Sequence, residues 1–148
     1  MAITSAVCNS FKQEILEAEH NFTASTGNTF NLALYDSDAT LNKSTTVYTT
    51  SEELATTGGY TAKGNSLTSV TPVLDSDTAV CDFSDTNWTS ATFTARGCLL
   101  YNTTAITGFT TNRSVIVINF GGDKTVTSGT FTIEFPAVAA STAIIQLA

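Results

Sequence analysis

The sequence predicts a mainly β protein, an antiparallel β-sandwich or small barrel carrying one short N-terminal helix. Three observations predict it. Thr is the commonest residue while charged residues make up only 13% of the 148-residue chain, a composition suited to pleated, half-buried surfaces and poor for a salt-bridged helical bundle. Phe30, Leu32 and Leu34 share one face of "FNLALY" (Phe30–Tyr35) with Asn31, Ala33 and Tyr35 on the other, and apolar and polar residues alternate cleanly in "TFTIEF" (Thr130–Phe135), the period of a strand. Short apolar segments bounded by turn residues recur about every ten positions, the spacing of sandwich strands.

The first segment is the exception to that period. Val7, Phe11 and Ile15 recur at i, i+4 and i+8 with Leu16 adjoining, which places an apolar stripe on a helix that Thr4 or Ser5 would cap. Residues 1–22 therefore read as an N-terminal helical arm and residues 23–148 as a single β-rich domain. The stripe either packs on the domain's own sheet or docks on a partner, which makes Val7, Phe11, Ile15 and Leu16 the candidate interface. After Phe30–Tyr35 comes a long polar stretch, Asp36 to Asn65, with a short strand expected at Val47–Thr49 and a turn at Gly58-Gly59. Its length marks it as a contact-making surface loop.

Further strands follow in order. "LTSVTPVL" holds Pro72, which suits an edge because proline donates no ladder hydrogen bond. "TAVCDF" puts Ala79, Cys81 and Phe83 on one face, and Trp88–Tyr101 contains Gly97 at a bulge or bend. Val115–Ile118 is apolar on both faces, as a central strand covered on both sides should be. "AIIQL" near the C-terminus is the last strand.

Composition narrows function. The formal charge of −7 and only 6 basic residues leave no clustered positive charge for a nucleic-acid backbone or an anionic membrane. No segment is long and apolar enough for a transmembrane helix, and the opening lacks the basic n-region of a secretion signal. Cys8, Cys81 and Cys98 show no metal-knuckle spacing and are odd in number, so they read as buried thiols of a protein made in a reducing cytoplasm.

The stretch "NFGGDKTVTSGTFTIEF" invites a phosphate-loop reading. A Walker loop, however, sets its second glycine directly before Lys and opens a helix. Here Asp123 separates Gly122 from Lys124 and a strand follows, so Gly121–Gly129 is expected to be a hairpin joining two strands. His20 reads as a surface residue at the helix end. Asp36, Asp38, Glu52 and Glu53 are the acids that could hold a cation, with "DSDAT" the foremost candidate and a solvated loop the plainer reading. Trp88 with Tyr35, Tyr48, Tyr60 and Tyr101 could line a sugar-binding face, although core packing is their usual use. No nucleophile–base pair stands out, so neither an enzyme nor a cofactor is expected.

Taken together, "AITSAVCNSFKQEIL", "NTFNLALYDSDATLNKSTTVYTTSEE", "GGYTAKGNSLT", "ATFTARGCLLYN", "SVIVINFGGDKTVTSGTFTIEFP" and "AIIQLA" resemble small virion proteins of tailed bacteriophages over most of the chain. The resemblance implies a β-rich structural part of the particle. Compact size, a single domain and the lack of a fibrous repeat favour a capsid cement, or decoration, protein over a tube, collar or fibre-base component. That implies a homotrimer bound to the major capsid protein on the virion surface. A carbohydrate-binding sandwich is the alternative from another class.

Overall fold

A computed structural model describes residues 2–148. The architecture is a β-sandwich of two antiparallel sheets. Its elements are β1 (Ala6–Val7), α1 (Asn9–Leu16), β2 (Phe30–Tyr35), β3 (Asn65–Ser66), β4 (Ser69–Asp75), β5 (Thr78–Phe83), β6 (Thr86–Asn102), β7 (Arg113–Ile133) and β8 (Ile145–Leu147). The larger sheet has the order β1-β7-β6-β2-β3 and the smaller β4-β5-β8. Aromatic rings join the two: Phe22 stacks on Phe30 of β2 at 4.5 Å, and Phe30 meets Phe83 of β5 edge-on at 5.5 Å.

β2 is buried along almost its whole length, with Leu32 and Leu34 on one face and Ala33 and Tyr35 on the other. The alternation in its sequence therefore does not divide wet from dry. The stretch from Asp36 to Asn65 covers the sheet as an ordered layer rather than standing off as a surface loop, burying Ala39, Leu41 and Tyr60. The strand expected at Val47–Thr49 shrinks to a single bridge, Val47 to Arg113. Glu53 fastens this layer. Its carboxylate accepts the Tyr48 and Tyr60 hydroxyls at 2.6 and 2.7 Å and the Lys63 amide at 2.6 Å, and a carboxylate–hydroxyl bond is among the stronger kinds.

β7 overturns the expected hairpin. Gly121–Gly129 does not join two strands but lies inside one 21-residue strand that pairs with β6 from Arg113 to Ile133, interrupted by bulges. The register explains the mistaken signal. Ala95 pairs with Lys124 and Gly97 with Asn119, so β7 takes five steps where β6 takes two, and the extra residues bulge outward. Gly121 takes φ 77° within that excursion, and Arg96 Nε closes it with a 2.7 Å bond to Asp123. The glycines mark a bulge, not a reversal.

Residues 2–22, set off by sequence pattern as an arm, contribute a strand and buried side chains to the sandwich. Ala6 and Val7 pair with Val117 and Ile116 of β7, while Ile3, Phe11 and Phe22 are buried. The helix starts later than its apolar stripe. Cys8, not Thr4 or Ser5, is the N-cap, and its side chain makes no cap bond. An 8-residue helix is too short to persist alone. Tertiary bonds hold its start, with the Cys8 amide donating to Val115 O and the Asn9 amide to Lys43 O.

Two glycines in left-handed backbone yield a contrast that tests this packing. Gly64 has φ 70°, and a Cβ there would collide with the Leu32 carbonyl; Gly121 has φ 77° with nothing within 4 Å. Gly64→Ala should cost about 3 kcal/mol, conformational strain plus a clash with backbone, whereas Gly121→Ala should cost about 1 kcal/mol. Urea unfolding of the two variants measures both, and equal losses would contradict the close approach of residues 64 and 32.

Candidate functional site

The four residues of the sequence-derived interface converge. Val7, Phe11, Ile15 and Leu16 line one open groove of about 340 Å³ between α1 and β8. They differ in depth: Phe11 is 3% exposed and forms part of the core, whereas Leu16 is 86% exposed at the rim. The opposite wall is Ile144, Ile145 and Leu147, and Lys12 is the charged group on the lining. The periodicity of α1 located one wall only. The β8 wall was legible as an apolar strand, but nothing in the sequence set it beside the helix.

A second set of residues gathers behind α1, and no spacing in the sequence sets its members together. Glu19 and Arg113 are both buried, with Arg113 Nε 3.1 Å from Glu19 Oε2. That contact lacks hydrogen-bond alignment, leaving Nε held by charge alone. The rest of the guanidinium donates to Thr110 O at 2.6 Å and Glu19 O at 3.1 Å. His20, expected at the surface, has a fully buried side chain. Its Nε2 lies 2.7 Å from Glu14 Oε2, and its Nδ1 lies 3.1 Å from the Asn102 amide nitrogen. Because that amide nitrogen can only donate, Nδ1 accepts and Nε2 carries the proton toward Glu14.

Burial, reinforced by the Arg113 charge, pushes the His20 pKa down to about 4. Burial likewise raises Glu14 and Glu19 above the usual carboxylate range, with Arg113 opposing the rise in both. The network thus holds a neutral imidazole between the helix and the sheet. It fills the role of fastening α1 to β6 and β7, and its imidazole is closed to any external substrate.

The remaining reactive groups are similarly occupied. All three cysteines are buried free thiols, and burial raises Cys8 to about 11 and Cys81 to about 12, far from thiolate reactivity at neutral pH. Asp82 is fully buried in β5, where it accepts the Phe83 amide at 2.9 Å. The rings offered for a sugar face are core: Trp88, Tyr35, Tyr60 and Tyr101 are each at most 4% exposed, and Tyr48 stacks on Tyr101 at 4.7 Å. Of the four acids proposed for a cation, Asp36, Asp38 and Glu52 bring carboxylate oxygens within 4.8 Å of one another. Glu53 turns away to its tyrosines. The trio could geometrically hold a cation, but Asp36 Oδ1 already accepts the Asp38 amide at 2.9 Å, as in an ordinary Asx turn.

No helix among the described residues is long and apolar enough to cross a membrane. No family model, curated protein or solved structure matches this chain.

The pH response of His20 follows with a definite sign. Its folded pKa lies below the unfolded value, so its contribution to stability is full above the unfolded pKa near 6.5 and is lost as pH falls toward about 4. Glu14 and Glu19, raised on folding, act in the opposite direction on acidification. Subtracting a His20→Gln stability curve from that of wild type should isolate a loss confined to that window. In nitrogen-detected NMR, the ring should stay neutral with the proton on Nε2 at pH 6; an imidazolium spectrum there would refute the assigned tautomer.

Proposed function

We propose that the protein is a structural virion protein of a tailed bacteriophage, seated on the capsid as a cement protein bound to the major capsid protein shell. The observation that carries this reading is the open apolar groove between α1 and β8, rimmed by Leu16 at 86% exposure. Exposed apolar surface of this kind marks a site of protein contact. The buried state of His20 and the cysteines agrees with a protein that works by binding rather than by covalent chemistry. The sequence resemblance supplies the particle. A protein that binds the assembled shell stabilises it by mass action.

The carbohydrate-binding alternative loses its support, because the rings it needs lie inside the sandwich. A tail or neck position is separated from the shell by stoichiometry. Quantitative mass spectrometry of purified particles should place this chain at shell-like abundance relative to the major capsid protein, and adding it to stripped shells should raise their melting temperature. Abundance matching the few-copy tail and neck proteins would overturn the capsid assignment.

A further inference from the structure

The groove is one end of a longer apolar face. Leu74 of β4 pairs with Ala79 of β5, and Ala79 with Leu147 of β8, so a row of apolar side chains crosses the small sheet and reaches α1. Leu74 is 72% exposed and Leu147 57%. The two ends of this face differ in shape and in charge. On the α1 side it is hollow and carries Lys12. On the other side Leu74 protrudes, and the exposed Asp77 stands in the turn between β4 and β5.

We propose that this face binds a second copy of the chain about a twofold axis, each Leu74 entering the partner copy's α1–β8 groove and each Asp77 meeting the partner copy's Lys12. Laying one face on another in antiparallel sense sets hollow against protrusion and cation against anion twice over. That is the self-complementarity an isologous contact requires. An occupant other than a second copy would have to match this same pairing of shape and sign. Among the described residues Lys12 makes only a long 3.4 Å contact, to Asn9, which leaves the ammonium able to turn toward a carboxylate. The twofold pair departs from the trimer implied by resemblance; it fills the same groove that carries the shell-binding reading, so it is a state of the free protein with which shell binding competes.

Sedimentation equilibrium of the purified chain tests it. Wild type should be a dimer. Leu74→Asp, at a position too exposed to unfold the sandwich, should be a monomer with an unchanged circular dichroism spectrum. Lys12→Asp and Asp77→Lys should each weaken the dimer by about tenfold, since each turns two attractive surface pairs into repulsive ones. The double variant Lys12→Asp/Asp77→Lys should restore it. A monomeric or trimeric wild type, a Leu74→Asp variant that remains dimeric, or a double variant no tighter than either single would each overturn the proposal. Shell binding by a monomeric wild type would overturn the pairing while leaving the cement reading intact. A dimer that fails to bind shells even when diluted to monomer would do the reverse.

Discussion

The pairing of β6 with β7 is the constraint on which the other elements depend. These strands, 17 and 21 residues long, pair from Thr86 with Ile133 to Asn102 with Arg113. β1 has only β7 to pair with, and β2 reaches the sheet only through β6. A ladder of that length twists strongly, and its partners are unequal, so register is taken up in bulges. Gly97 allows one of them, because a Cβ there would meet Ile118 O at 2.5 Å. On the N-terminal side of residue 97 the ribbon outruns β2, and the turn at Gly58-Gly59 lies along its β6 side, with the Thr92 amide donating to Gly58 O at 2.8 Å. The long polar stretch is ordered for that reason: it completes a sheet edge that would otherwise leave backbone groups unpaired.

The second dependence is polar. The helix is short and lacks a side-chain N-cap, so its position relies on Phe11 in the core and on the His20, Glu19 and Arg113 contacts behind it. Burying an ion pair is not in itself stabilising, but once formed it is costly to break, because either partner alone is an uncompensated buried charge. Such a network specifies where α1 sits more than how stable the chain is. It also consumes the side chains from which an active site is usually assembled. The sole histidine holds structure, as do the buried acids Glu19 and Asp82.

The exposed surface is organised differently. Sheet edges are the usual hazard of a β protein, and here they are interrupted. β4 carries Pro72 and a register shift between Val70 and Val73. β7, covered by β1 only at Ile116 and Val117, is broken by the bulge at Gly121 and by positive φ at Ser128. β1 and β3 are 2 residues each. Against edges so guarded, an apolar face with Leu16, Leu74 and Leu147 in the open is an exception in chemical terms, and it is the surface on which the proposed protein contacts are placed.

By itself the sequence determined the fold class, the existence and the extent of β2, the edge character of β4, the bulge at Gly97 and the apolar stripe of α1. Each of these is a local property, carried by the period of side chains along a strand or helix or by the conformational limits of proline and glycine. Tertiary structure alone decided that Gly121–Gly129 continues a strand, that His20 is interior, that Asp36–Asn65 is a packed layer, and that Leu74 and Leu147 extend the face begun by α1. Glycine with Asn or Asp looks the same in a bulge as in a hairpin, because both need positive φ. The difference lies in whether the partner strand continues alongside, as Thr94 does for Thr125, 31 positions away. Burial of a lone histidine likewise depends on Asn102 and Arg113, residues more than 80 positions distant that only the folded chain brings to its side.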